Sequence, residues 1–332
     1  MDILIHLLAS LTMMRAVFPR ASKDVLAAAL IAGSVADVDV VSSVISPSAF
    51  LRWNHTYTHS IVGSLLIATL VLVAKLALTR KSSVAANAIK STAPPIFAAA
   101  FLHLVMDLCQ NNGVELLWPF RANRYSADWL PSLDLWILAI LIAGIALPAI
   151  AGLVTEEIGA KSKRPRGQIG AIVALVAIFL YVSSRAILHK GVIAEMQSVT
   201  YRGESPRKLA TLAESSPFAW LGVFESERAL GNLEINAGPN GDFSPNSAFI
   251  SYKPEPSAAL DAALRTESAR RFLAAMRFPK AAVEKTRTGF HVEIRNFPFE
   301  AGTHGRAKVM ASVDTDENAK ILNQEIVWDP TS

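Results

Sequence analysis

The 332-residue chain is 52% hydrophobic and only 18% charged, with a mean hydropathy of +0.33, which excludes an ordinary soluble protein throughout. Its net charge of +4 arises in the first half, where basic residues sit in short loops, and it gives no argument for a nucleic-acid partner. Residues 1–188 hold the long apolar runs and 25 of the 60 charged side chains, whereas 190–332 hold a near-balanced 17 basic and 18 acidic. The fold class that follows is an α-helical membrane bundle of about six hydrophobic segments (1–188) followed by a soluble, extramembrane α+β domain (189–332).

In chain order, the short apolar segments Ile3–Phe18 and Val25–Val35 come first. Arg15 follows the first apolar stretch instead of preceding it, which argues against a cleavable signal peptide. Ile61–Thr79 is a further span, with Lys75 close enough to its end to snorkel. Thr92–Gly113 is apolar but contains His103 and Asp107. Leu135–Val154 and Gly167–Ser184 are long enough to cross roughly 30 Å of hydrocarbon as helices. If all six cross, Arg15, Arg20, Lys23, Lys75, Arg80, Lys81, Lys90, Lys161, Lys163, Arg164 and Arg166 fall on one side, against Arg52, Arg121 and Arg124 on the other. The positive-inside rule then places the basic loops in the cytoplasm and the C-terminal domain outside it. Beyond residue 190, Ser257–Phe278 has helical spacing, residues 289–297, 306–316 and 320–329 read as strands, and 236–245 reads as a loop. His291 and His304 lack acidic or cysteine partners at ligand spacing and read as ordinary strand or surface residues. The single cysteine, Cys109, excludes an internal disulfide.

Four patches of the first half combine histidine with aspartate: MDILIH with His6, GSVADVD with Asp37 and Asp39, WNHTYTHS with His55 and His59, and HLVMD with His103 and Asp107. On a helix His103 and Asp107 share a face, where they can share a metal or a proton or simply tie a bundle together. In the six-span topology all seven lie toward the outer side; Asp107, 13 residues past Pro94, is roughly 20 Å up its helix. Nitrogen and oxygen donors of this kind suit a hydrolytic zinc or manganese site, and seven exceed the need of one ion, which brings a two-metal site within reach.

These motifs resemble the YdjM-like membrane-bound metal-dependent hydrolases. That family opens with Met-Asp-x-x-Thr-His, continues with Gly-x-x-x-Pro-Asp-x-Asp, His-Arg-x-x-Thr-His-Ser and His-x-x-x-Asp, and closes with Gly and Trp-Pro-Phe. The chain has MDILIH (1–6), GSVADVD (33–39), NHTYTHS (54–60), HLVMD (103–107), Gly113 and WPF (118–120), so the resemblance covers residues 1–120. PFAW (217–220) is similar to a Pro-x-x-Trp stretch in longer members. Ile5 replaces the family's Thr and Ala36 its Pro; aligning Thr58-His59-Ser60 sets His59 on the family's second His, Asn54 on the first and His55 on its Arg. The resemblance implies a hydrolase. A more distant similarity to zinc-dependent phospholipases C implies phosphoester hydrolysis by a metal-activated water, with Asp39 as general base. A site near the outer leaflet suits a lipid or lipid-linked phosphoester. Two other classes compete: a transporter using intramembrane His and Asp, and a non-catalytic, metal-stabilised anchor that displays the C-terminal domain.

Overall fold

The computed structural model describes residues 3–78, 85–157, 167–201, 203, 205–239, 241, 243–297 and 309–329. His304 and the loop residues Arg80, Lys81, Lys161, Lys163, Arg164 and Arg166 lie outside them. The N-terminal region is helical: α1 (Ile3–Val17), α2 (Lys23–Ala32), a 3-10 turn over Val35–Val41, α3 (Ser42–Ile45), α4 (Pro47–Trp53), α5 (Ile61–Leu78), α6 (Ala85–Leu108), α7 (Leu135–Glu157) and α8 (Gln168–Gln197). Two compact units result. One comprises Met1–Asp39, His55–His189 and Ala213–Pro217; the other comprises Val40–Asn54, Lys190–Leu212 and Phe218–Ser332.

Among the described residues four stretches are long and apolar enough to cross a membrane: Ile61–Leu78, Ile89–Leu108, Leu135–Gly152 and Gln168–Gln197. A fifth results if Lys23–Ala32 and Val35–Ile45, bent by 43°, count as one broken span. The sixth predicted segment is α1, whose 15 residues make about 22 Å of helix, short of the roughly 30 Å of hydrocarbon. Exposed Leu65, Leu66 and Leu70 on α5 and Val173, Val176, Phe179 and Leu180 on α8 form the apolar surface a bilayer solvates.

Helices of the first unit pack through small residues, which let backbones approach. Ala28 and Ala32 of α2, Ala68 of α5 and Ile96 and Ala100 of α6 form one core, and Ile5 and Ala9 of α1 meet Ile137 and Leu141 of α7 in another. Gly33, the C-cap of α2, shows this closeness: a Cβ there would stand 2.2 Å from Ser10 Oγ of α1. Lys75 does not merely snorkel; its Nζ pairs with Asp24 Oδ2 of α2 at 2.5 Å. Arg185 of α8 is fully buried and donates to the carbonyls of Trp129, Ser216 and Pro217.

The second unit carries two four-stranded antiparallel sheets, ordered β1 (Lys208–Ala213), β2 (Ala219–Glu225), β3 (Ala229–Asn236), β4 (Phe249–Tyr252) and β5 (Pro279–Lys285), β6 (Gly289–Asn296), β7 (Val309–Asp316), β8 (Ile321–Trp328). Between the sheets the predicted single helix is two, α9 (Ala258–Leu264) and α10 (Glu267–Ala275). Thr266 explains the break, because its hydroxyl accepts from Ala269 N and starts a new helix. Phe272 of α10 packs with Val292 and Ile294 of β6 and Val313 of β7, and Leu51 of α4 joins this core. His291 is not without an acidic partner: the register of β6 on β7 sets it opposite Asp314, with Nδ1 2.6 Å from Oδ1, and Glu293 lies 3.3 Å from Nε2.

Candidate metal centre

Four separate segments of the first unit bring His6, Asp37, His55, His59, His103 and Asp107 together in its interior, and each side chain is buried. His6 projects from α1, while His103 and Asp107 lie one turn apart on α6. Asp37 comes from the 3-10 turn that follows Gly33. The turn 54–60 supplies His55 and His59 and is fastened locally. Ser60 Oγ donates to Tyr57 O and accepts from Gly63 N at the start of α5, and a Cβ on Gly63 would fall 1.9 Å from Tyr57 O.

His59 Nε2, His103 Nε2 and Asp107 Oδ2 form a triangle with sides of 3.1, 3.1 and 3.2 Å. Asp37 Oδ1 lies 3.6 Å from His59 Nε2 and 4.0 Å from His103 Nε2. Donors around a tetrahedral ion with bonds of about 2.1 Å stand about 3.4 Å apart, so the triangle fits three of them. The tautomers agree. His103 Nδ1 faces Gly33 O at 3.0 Å, and a carbonyl only accepts, so Nδ1 carries the hydrogen and Nε2 turns its lone pair inward. His59 Nδ1 lies 2.9 Å from Thr58 Oγ1 and 3.1 Å from Asp39 Oδ2; Thr58 Oγ1 turns its own hydrogen to that carboxylate, so Nδ1 donates and the ring is held in the same sense. His6 Nε2 contacts Asp107 Oδ1 at 3.2 Å. His6 Nδ1, Asp37 Oδ2 and His55 Nδ1 are buried and lack a hydrogen-bond partner among the described residues. Burial acts against a charged His59, yet its bonds to Asp107, Asp37 and Asp39 outweigh that and hold it well above the ordinary imidazole range: the cluster draws positive charge.

Two predicted residues need separate treatment. His55 is fully buried, stacked parallel on His59 with ring centroids 4.5 Å apart, and has a left-handed backbone at φ 57°. With His59 and Asp107 it makes one group of converging donors, and His6, Asp37, His103 and Asp107 make the other, so Asp107 is common to both. Burial first, then His59, pushes its imidazole well below the usual range. Asp39 lies outside both converging groups: its Oδ2 accepts from His55 N at 2.8 Å and sits against His59 Nδ1, the place of an orienting carboxylate. One participant escapes the motifs altogether. Gln110 is fully buried and donates its amide to Asp107 Oδ1; its i+3 spacing from Asp107 was the available signal.

No curated protein and no solved structure matches the chain. The model of the YdjM inner membrane protein family matches residues 1–192, a stretch that carries the His/Asp cluster and all but the end of the last span. A membrane protein by its apolar helices as well as by this match, the chain belongs to the YdjM inner membrane protein family.

Proposed function

We propose that the protein is a membrane-bound metal-dependent hydrolase that cleaves a phosphoester at the outer face of the membrane. The observation that carries this reading is the buried triangle of His59 Nε2, His103 Nε2 and Asp107 Oδ2, closed by Asp37 Oδ1. Imidazole and carboxylate donors suit zinc or manganese, and a bound ion would supply Lewis acidity and acidify a water. His59, His103, Asp37 and Asp107 would hold it, with His6 and His55 as the remaining nitrogen donors. Asp107 turns one oxygen to His6 and the other to His59 and His103, which suits a carboxylate shared between two ions. The proton acceptor is better assigned to Asp37, whose Oδ2 has no partner among the described residues, than to Asp39, which is engaged by His59 and His55.

A lipid or lipid-linked substrate is supported by apolar side chains exposed on the helices that carry the ligands, Leu4 and Leu7 on α1 and Phe101 and Val105 on α6. The six-span, positive-inside topology, with the C-terminal domain outside the cytoplasm, completes the proposal. The test is metal content and hydrolysis of a phosphodiester panel, including phospholipids, by the purified full chain. Wild type should carry zinc or manganese and turn over a phosphoester, and His59→Ala should lose both the metal and the activity. Metal-loaded protein inert toward every phosphoester would sink the activity and leave the metal-stabilised anchor.

A further inference from the structure

Asp107 is the most shared group of the centre, and its two oxygens are not equivalent. Oδ2 faces His59 and His103, and Oδ1 faces His6 and the Gln110 amide. A carboxylate only accepts, so Gln110 must turn its NH2 to Oδ1 and its own Oε1 away. That Oε1 is buried with no hydrogen-bond partner among the described residues, so the chain keeps this amide at a desolvation cost.

The backbone beneath it is held firmly. Gln110 follows directly on the last turn of α6, and its N–H donates to Asp107 O at 3.2 Å. It pairs with Leu130 in a parallel bridge, and Ser126 Oγ lies in hydrogen-bonding contact with its carbonyl. Asn111 N donates to Leu130 O and Leu130 N to Cys109 O, so the loop 125–130 fixes the residues on either side. A capping role for the helix would aim the side chain at the last carbonyls of α6; this one aims at the carboxylate.

We infer that Gln110 is a positioning residue: by occupying Oδ1 it fixes the plane of the Asp107 carboxylate and reserves Oδ2 for the ion held with His59 and His103. The inference rests on the metal-centre reading above. Without that donor, Oδ1 keeps the His6 contact at 3.2 Å but loses the amide that fixes the carboxylate plane, and Asp107 can turn to offer both oxygens to the same ion, changing the coordination and weakening it.

Two near-isosteric variants of the full-length protein test this. Gln110→Met keeps length and removes the donor; Gln110→Glu keeps shape and, ionised, only accepts. Zinc affinity is measured by competition with a chelating dye, coordination by the visible spectrum of the cobalt(II)-loaded protein, and folding by the melting temperature of metal-free protein. Both variants should bind zinc about 10–100-fold more weakly and show altered cobalt bands, with metal-free melting like that of wild type. Wild-type affinity and an unchanged cobalt spectrum in Gln110→Met would overturn the inference, as would loss of metal-free stability matching the loss of affinity. Wild type that takes up neither zinc nor cobalt overturns both this and the metal centre. Wild type that binds metal but cleaves no phosphoester defeats the activity alone, and Gln110 is still judged on affinity and spectrum.

Discussion

His59 divides its two nitrogens between two tasks, Nε2 toward the donor triangle and Nδ1 toward Asp39. Asp39→Asn exchanges an acceptor for a group that can also donate, so His59 loses its enforced tautomer, and zinc affinity should fall about 10–100-fold by dye competition while His59→Ala loses the ion altogether. Most of this was open to sequence reasoning, since seven His and Asp residues gathered in four patches are visible without coordinates. The Gly33 carbonyl that orients His103 was not, because a backbone acceptor has no residue type to betray it. His291 shows the same limit in the sheet. Its hydrogen bond to Asp314 raises it above the ordinary imidazole value; burial opposes this and Glu293 assists. A raised folded value means that the stabilisation is complete below the unfolded value of about 6.5 and is lost as pH climbs through the folded one. Asp314→Asn should therefore lower the melting temperature more at pH 6 than at pH 9.

Among elements, the approach of α1 to the end of α2 depends on what Gly33 lacks. Gly33→Ala drives a Cβ to 2.2 Å from buried Ser10 Oγ and 3.3 Å from Ala99 Cβ. It should cost about 1–3 kcal/mol in thermal or denaturant unfolding, and adding Ser10→Ala should recover part of that. Three strands were legible, β6 and β7 in stretches with period-two alternation and β8 after them. β2 and β3 were not, and their burial explains why: Trp220 to Phe224 are buried without interruption, as are Ala229 to Leu233. A strand covered on both faces has no polar side to alternate with. The α9–α10 break escaped because apolar spacing runs on through Thr266 while its hydroxyl restarts the helix.

For the molecule as a whole, the apolar runs were legible as membrane segments because length and hydropathy suffice to mark them, but not how many cross. Length and hydropathy support four crossings, or five with the bent pair, and orientation rests on charge alone. With the C-terminal domain outside the cytoplasm, a C-terminal alkaline phosphatase fusion should be active and a green fluorescent protein fusion dark; the reverse pattern would refute the proposed topology. The donor set also carries a consequence for biosynthesis. His6 and its partner Asp107 are 101 positions apart, and Asp37 and His59 lie between them. Ribosomes deliver α1, α2 and α5 before α6 exists, so three of these polar groups reach the bilayer ahead of the carboxylate that unites them. The nascent chain must keep its first helices near water or the insertion machinery until α6 arrives, and the centre closes only then.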